Sequence, residues 1–223
     1  ALFGKITFDS ALTKLVLIQS APLVAQYAIS ILSWEYFYIL IEHHGARALA
    51  VSNAMRNVFG FFGIFSWAFA ATTNTMVSNI IGQGRHDEVM PLIRRIAGIS
   101  FCISSAVFIV LNIIPEKFLS FYALGPEFIA EGIPVVRIIS VALLTMSFAT
   151  VWLNAVTGTG NTMINLSIEL VAIIIYCVYC YVVLEYLNLP IVWGWGSEWV
   201  YWCSMFTMAF FYLRSGKWKN KVI

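Results

Sequence analysis

Six long apolar runs alternate with short polar segments along the chain. The runs cover residues 15–41, 48–81, 96–114, 134–156, 163–187 and 190–213. A helix needs about 20 apolar residues to cross the hydrocarbon core of a bilayer, and each run offers roughly that number or more. The connections are short, as between sequential helices packed up and down, and the runs lack strand-type alternation. The pattern therefore predicts an all-α, polytopic membrane protein built as a six-helix transmembrane bundle.

Glycine and proline positions refine the predicted helix boundaries. The second run is too long for one straight span, and Gly60 and Gly63 within it predict a tilt, a bend or an interfacial first turn. Pro115 is expected to end the third helix. Pro134 is expected to start the fourth, because proline is favoured in the first turn of a helix. Residues 115–132 then form the longest connection.

The composition excludes a water-soluble domain. Apolar residues make up 61% of the 223 residues and charged residues 11%, against roughly 45–50% and about 25% in soluble proteins. No basic patch with interleaved aromatic residues occurs, so the sequence gives no support for nucleic-acid binding. The chain opens Ala-Leu-Phe-Gly-Lys, without an initiator Met. That beginning favours a fragment of a longer chain, although a trimmed protein would look the same.

The basic residues predict an orientation in the membrane. With six spans both termini lie on one side, and nine of the 13 Lys and Arg residues fall there: Lys5, Lys14, Arg85, Arg94, Arg95, Arg214, Lys217, Lys219 and Lys221. The other four are Arg47, Arg56, Lys117 and Arg137. Because cytoplasmic loops carry an excess of Lys and Arg, both termini are expected to be cytoplasmic.

The predicted outer segments are acidic and rich in tryptophan. Their acids are Glu42, Glu116, Glu127, Glu131, Glu185 and Glu198. The last span begins with Trp193, Trp195, Trp199 and Trp202 and ends with Tyr212 and Trp218. Aromatic residues favour the membrane–water interface, so these positions predict an aromatic belt at each side.

Four of the predicted helices carry polar residues along one face. The faces are Gln19, Pro22, Gln26, Ser30 and Ser33 in the first; Asn53, Asn57, Gly60, Trp67, Ala71, Asn74 and Ser78 in the second; Ser140, Ser147, Thr150 and Asn154 in the fourth; and Asn165, Glu169 and Tyr176 in the fifth. Such faces either hydrogen-bond helices together or surround a polar cavity. The cavity-lining candidates are Gln26, Ser30, Asn74, Ser78, Ser147, Asn154, Asn165 and Tyr176.

Two acids inside the spans are candidates for a coupling-ion site, Glu169 and Glu35. No Lys or Arg lies one turn from Glu169 on its own helix. A carboxylate without a cationic partner in a low-dielectric setting can take up a proton, which is what ion coupling requires. Glu169 can instead be a structural acid bonded to an amide. Glu35 lies off the polar face of its helix and can instead reach the interface.

Motifs for enzymatic or metal chemistry find no support. Cys177 and Cys180 form a C-x-x-C pattern, but it lies within a helix among apolar residues, which indicates packing. The segment Gly158-Thr-Gly-Asn-Thr162 lacks the phosphate-loop pattern and a preceding strand, and a tight turn explains it. No H-E-x-x-H motif or Ser–His pair suited to an intramembrane protease occurs. We therefore expect no enzyme, no metal and no cofactor.

Four ordered stretches resemble the C-terminal lobe of the multidrug and toxic-compound extrusion (MATE) transporters. They are Pro22 and its span followed by Ala46-Arg-Ala-Leu-Ala50; Ala71-Thr-Thr-Asn-Thr-Met-Val-Ser-Asn79 with Ile81-Gly-Gln-Gly84; Asn154-Ala-Val-Thr-Gly-Thr-Gly-Asn-Thr162; and the final span with its basic tail, 199–218. The resemblance implies helices seven to twelve of a twelve-helix fold with two lobes. It also implies export of organic, often cationic, compounds in exchange for H⁺ or Na⁺.

The chain departs from the family pattern at two positions. Many bacterial members carry an acid where this sequence has Ser30, and some carry one where it has Met146. Either Glu169 or Glu35 then substitutes, or the coupling acid lies in an N-terminal lobe outside this chain. The domains implied are a cytoplasmic linker end over 1–10, the lobe over 11–214 and a basic cytoplasmic tail over 215–223.

Three hypotheses follow for function. The first is one lobe of a secondary antiporter, coupled to H⁺ or Na⁺, that exports drugs or other small organic molecules. The second is a flippase of the same superfamily for a lipid-linked oligosaccharide or cell-wall precursor. The third is a non-transporting assembly or sensory module. The expected partners are the lipid bilayer, a small organic substrate and the N-terminal lobe, and the expected location is the bacterial inner membrane.

Overall fold

The computed structural model describes residues 9–122 and 125–220, with the side chain of residue 220 left out. The α-helices are α1 (Ser10–Glu42), α2 (Ala46–Gly82), α3 (Val89–Ile113), α4 (Pro115–Ser120), α5 (Pro126–Gly158), α6 (Thr162–Cys180), α7 (Ile191–Trp195) and α8 (Ser197–Arg214). A π-helical turn, Tyr181–Tyr186, prolongs α6, and 3₁₀ turns cover His86–Glu88 and Lys217–Asn220. No strand occurs within these two ranges, which confirms the all-α prediction. The predictions for residues 1–8 and 221–223 lie outside the described residues.

Five helices in the described ranges are long and apolar enough to cross a membrane, by length and composition. They are α1, α2, α3 with its preceding turn, α5, and α6 with its π-helical turn. The predicted sixth span is divided into the short α7 and the 18-residue α8. At about 1.5 Å per residue α8 is about 27 Å long, close to the thickness of the hydrocarbon core.

Helix α5 forms the centre of the bundle and α1 its periphery. Helix α5 packs against α2, α3 and α8, and most of its residues are buried. Ser100 of α3 donates to the Ser147 carbonyl oxygen at 3.0 Å, and Asn112 donates to Ser140 at 2.8 Å. Helix α1 packs mainly on α6 and remains largely exposed. Its exposed side chains, such as Leu17, Val24 and Leu32, form an apolar outer surface suited to lipid.

The start of α5 differs from the prediction. Pro126 lies in the first turn, whereas Pro134 lies inside the helix, and the predicted loop 115–132 contains α4 and the first two turns of α5. Two acids of this segment pair with the same cation, Arg47. Arg47 lies 2.6 Å from Glu127 and 3.2 Å from Glu131. Acids in a first turn also suit the helix dipole, so charge here marks a helix start rather than a connection.

Helix α3 also begins earlier than predicted. Val89 and Ile93 are buried while Arg94 and Arg95 are exposed, which is an amphipathic pattern. Two adjacent arginines interrupted the apolar run that set the prediction at residue 96. The helical period continues through them, because only one face needs to be apolar.

Most of the tryptophans predicted for the outer start of the last span pack against other helices of the bundle. Trp195 is fully buried and donates to Ser52 at 3.1 Å, whereas Trp193 is 57% exposed. Trp199 donates to the Ile138 carbonyl oxygen at 2.8 Å. At the other end of the span Trp218 is buried and donates to the Leu213 carbonyl oxygen. Their indole N–H groups find protein acceptors, so the rings pack inside the bundle.

Charged residues pair with one another at both ends of the bundle. At one end, here called the basic end, Lys219 lies 3.0 Å from Asp87, and Arg85 donates to Glu88 at 2.7 Å. Hydrogen bonding to Glu88 raises the pKa of Arg85, which lies outside the spans. At the opposite, acidic end His43 lies 3.0 Å from Glu185.

Candidate functional site

A cavity of about 290 Å³ lies among α1, α2, α5, α6 and α8. Its wall includes Gln26, Tyr27, Ser30, Ser33 and Trp34 of α1; Phe59 and Trp67 of α2; Thr150 and Asn154 of α5; Glu169 and Tyr176 of α6; and Glu198, Tyr201 and Trp202 of α8. Within the part of the chain that the structure describes, no Lys, Arg or His belongs to this wall. The cavity is therefore aromatic and acidic.

Of the two acids that line the cavity, Glu169 accepts the larger number of hydrogen bonds. Its side chain is 3% exposed. The oxygen Oε1 accepts hydrogen bonds from Ser30, at 2.6 Å, and from the Tyr201 hydroxyl, and Oε2 accepts one from Gln26 Nε2 at 3.3 Å. Asn165 in turn donates to Gln26 Oε1 at 2.7 Å. A buried carboxyl thus joins α6 to α1 and α8 through neutral donors alone.

Helical spacing explains how α1 and α6 meet at this acid. Gln26 and Ser30 are four residues apart on α1, and Asn165 and Glu169 are four apart on α6. Residues at this spacing share a helix face, so each helix presents two polar groups to the other. The polar faces predicted for these two helices therefore meet.

The Ser30 hydroxyl can serve either protonation state of Glu169. A hydroxyl has one proton to donate. Its oxygen lies 2.6 Å from the carboxyl group and 3.0 Å from the Gln26 carbonyl oxygen. When Glu169 is ionised, Ser30 donates to it. When Glu169 is protonated, Ser30 can donate to the carbonyl and accept from the acid, so neither state leaves a buried polar group without a partner.

Glu198 is a second acid of the cavity, and sequence reasoning missed it. The prediction placed it in an outer acidic segment, but its side chain is 2% exposed. Trp34 donates to Oε1 at 3.1 Å and Trp202 to Oε2 at 3.0 Å. The spacing of four between Glu198 and Trp202 was the available signal in the sequence. The second donor lies on α1, 164 residues away.

The remaining candidates occupy different places. Asn154 and Tyr176 line the cavity, as Gln26 and Ser30 do. Asn165 does not line the cavity but donates a hydrogen bond to Gln26, which does. Ser147 is fully buried, and its carbonyl oxygen accepts a hydrogen bond from the hydroxyl of Ser100 on α3. It therefore belongs to the contact between α3 and α5.

Three further candidates lie away from the cavity wall. Ser78 donates to the carbonyl oxygens of Asn74, at 2.9 Å, and Gly158, at 3.1 Å, and so links α2 to the end of α5. Asn74 is half-buried beside that link. Glu35 is exposed on α1. Much of the predicted polar face of α2 is also exposed, although Trp67 of that face reaches the cavity.

Cysteine labelling is expected to separate cavity positions from packing positions. In the full-length protein with its native cysteines replaced by Ala, Ser30→Cys and Asn154→Cys should react with a small maleimide, because both side chains line the cavity. The matched control Ser147→Cys should stay unreactive, because its side chain is fully buried. Equal protection of all three positions in folded protein would favour the non-transporting module.

Comparisons with known proteins agree on one family. A family model described as MatE matches residues 22–182. A curated relative, "Probable multidrug resistance protein NorM" of Thermotoga maritima, is 22% identical over 180 residues, covering 80% of this chain and 39% of the relative.

Two solved structures show the same fold. The bent form of the Vibrio cholerae MATE transporter VcmN has a TM-score of 0.84 at 14% identity, covering 94% of this chain and 48% of that one. A Pyrococcus furiosus MOP-superfamily transporter, described as having a binding pocket of reverse polarity, has a TM-score of 0.77 at 15% identity, covering 89% and 43%. The chain thus spans less than half the length of each of these three relatives.

Proposed function

We infer transport from one premise: this chain belongs to the MatE family, whose model matches well over half of its length. On that premise it is an integral membrane protein, and we propose that it forms one lobe of a secondary antiporter that exports organic compounds in exchange for H⁺ or Na⁺. A second lobe of the same polypeptide, N-terminal to this one, would provide the facing wall of the cavity. The proposed location is the bacterial inner membrane, with residues 1–10 and 215–223 on the cytoplasmic side.

The observation that carries this proposal is the environment of Glu169. It is a buried carboxyl that lines a cavity and is bonded by hydroxyl and amide groups, with no cationic partner in the described ranges. A group of this kind can exchange a cation with an aqueous space, whereas a permanently paired acid cannot. Coupling then requires that the occupied and empty forms favour different conformations.

The proposal is tested by transport in vesicles. The full-length protein, reconstituted in proteoliposomes, is expected to move a fluorescent organic cation only while a pH or Na⁺ gradient is imposed. The direction of substrate movement should reverse when the gradient reverses. A protein that moves the probe equally well without either gradient would overturn the antiport mechanism, and one that never moves any probe would favour the module.

The charge of the cavity argues against the flippase alternative. A lipid diphosphate needs cationic side chains around it. Arg56 and Arg137, the basic residues that the predicted spans contribute, are both exposed and lie off the cavity wall. Two acids occupy the wall instead. The polarity favours a neutral or positively charged substrate.

A further inference from the structure

Gln26 of α1 uses both ends of its side-chain amide to contact α6. Asn165 Nδ2 donates to Gln26 Oε1 at 2.7 Å, and Gln26 Nε2 donates to Glu169 Oε2 at 3.3 Å. All three side chains are buried, between 3% and 8% exposed. Because Asn165 and Glu169 are four residues apart on one helix face, a single glutamine reaches both. The three side chains form a hydrogen-bond chain that runs from Asn165 to Glu169.

The direction of this chain follows from the chemistry of its members. A carboxylate oxygen only accepts, so Gln26 turns its NH₂ group toward Oε2. Its own oxygen then faces Asn165, which must donate. If the Gln26 amide alone were reversed, its oxygen would lie against Oε2 and its NH₂ group against that of Asn165, and both contacts would be repulsive. Reversal of both amides would require a proton on Oε2.

Asn165 serves this chain and lacks a second role. It does not line the cavity. Within the described residues its oxygen Oδ1 is buried without a hydrogen-bond donor. Burial of an acceptor in this way lowers the stability of the fold, so an apolar residue at this position would be the better packing residue. The one side-chain hydrogen bond that Asn165 makes goes to Gln26.

The two oxygens of Glu169 face groups of different chemistry. Oε1 lies beside the hydroxyl groups of Ser30 and Tyr201, which can accept as well as donate. Oε2 faces the NH₂ group of Gln26, which can only donate. A proton on Oε1 therefore finds an acceptor, whereas a proton on Oε2 would point at a donor.

Few titratable side chains share the cavity wall with Glu169. Within the described residues they are Tyr27 of α1, Tyr176 of α6, and Glu198 and Tyr201 of α8, and α2 and α5 contribute none. Tyrosine is uncharged at neutral pH, so Glu198 is the group of this set whose charge can act on Glu169. Glu198 accepts from Trp34 and Trp202 and takes no part in the chain. A change at Asn165 therefore alters the chain and leaves these neighbours in place.

We propose that Asn165 is a positioning residue that holds the Gln26 amide with its NH₂ group on Oε2 and so directs the exchanged proton to Oε1 of Glu169. The assignment rests on the proposed coupling role of Glu169 and adds the residue that orients its donor. Without Asn165 the Gln26 amide can turn, and the ionised form of Glu169 loses a hydrogen bond. Hydrogen bonding to the charged form favours that form, so Glu169 then takes up its proton at a higher pH.

Infrared titration of the full-length protein tests the assignment without relying on transport. The carbonyl band of protonated Glu169 is identified as the band that Glu169→Gln lacks. Asn165→Leu should raise the pH midpoint of this band by about one unit, because a hydrogen bond to a charged group is lost. Gln26→Met should raise it as well, and the double variant should raise it no further than Gln26→Met alone. An unmoved midpoint in Asn165→Leu, or additive shifts, would overturn the proposal.

A matched control makes the same substitution at another asparagine. Asn112 donates to Ser140 between α3 and α5 and does not line the cavity. Asn112→Leu should leave the infrared midpoint where it is, and a shift equal to that of Asn165→Leu would mean that the effect is general loosening of the bundle.

A smaller variant protects the test against misfolding. Asn165→Ala also removes the donor to Gln26 and adds no bulk, so its midpoint should rise in the same direction. An unmoved midpoint in this variant would likewise contradict the assignment. Failure of the antiport proposal would show separately, as absent gradient-driven transport in a protein whose infrared midpoint still responds to Asn165.

Discussion

Glu169→Gln is expected to abolish the response of transport to a pH gradient in the full-length protein. Glutamine fills the same space, and its one side-chain oxygen can still accept from Tyr201. Its NH₂ group replaces the oxygen that accepts from Gln26, and it cannot exchange a proton. The rate with the gradient should therefore fall to the rate without it, while exchange of labelled for unlabelled substrate continues. The measurement is efflux from proteoliposomes with and without the gradient.

Glu42→Gln provides the matched control for this experiment. It makes the same chemical change at an exposed position at the end of α1, away from the cavity wall, and should leave transport unaltered. Glu35→Gln is the discriminating variant, because Glu35 is the other candidate acid. If Glu35→Gln removes the gradient response and Glu169→Gln preserves it, the coupling role passes to Glu35. A response preserved in both variants would place coupling outside this lobe.

Gly158→Ala is expected to lower the stability of the lobe. Gly158 lies where the end of α5 meets α2, and an added Cβ would lie 2.9 Å from both the Asn74 carbonyl oxygen and the Val77 Cβ. Both neighbours belong to the backbone or its first side-chain atom, so neither can rotate away. Overpacking of this kind costs about 1–3 kcal/mol. Each kcal/mol corresponds to about 2–4 °C in the midpoint of thermal unfolding for a chain of this size.

The control for that comparison is Gly98→Ala. Gly98 lies inside α3, and its added Cβ would meet no atom within 4 Å. Alanine is also the better helix former, by roughly 0.8–1.0 kcal/mol in water. Thermal unfolding in detergent should therefore show a lowered midpoint for Gly158→Ala and an unchanged or raised one for Gly98→Ala. Equal midpoints would mean that α2 and α5 do not approach as closely as the structure indicates.

The apolar runs predicted the helices well where both the lipid-facing side and the buried side of a helix consist of apolar residues. Helix α6 with its π-helical turn covers Thr162–Tyr186, almost the predicted run. The start of α5 was missed because Pro134 was taken as the helix start, although it lies inside the helix, and this placed Glu127 and Glu131 in a connection. Hydropathy measures the free energy of transfer from water to lipid. It gives no information about ion pairs with another helix, such as those that Arg47 of α2 makes with α5.

The candidate site was predictable where its two halves each showed a periodic polar face. Gln26 and Ser30 of α1 and Glu169 of α6 were identified on this basis, and they contact one another. Ser147 shares the same periodicity yet packs against α3, since a period identifies a face and not its neighbour. Glu198 was missed because the hydrogen bonds that allow its burial come partly from α1.

Helix α1 is the least enclosed of the membrane-length helices, yet it supplies Gln26 and Ser30 to Glu169 and Trp34 to Glu198. Few contacts resist its displacement, and any displacement changes how both carboxyls are solvated. If Glu169 binds the coupling ion as proposed, a displacement of this helix alters the affinity for the ion. Ion binding then changes the free-energy difference between the positions of the helix by the same amount, because thermodynamic linkage is reciprocal. On the same proposal, a lipid that binds the outer surface of α1 in one of these positions would also alter ion binding.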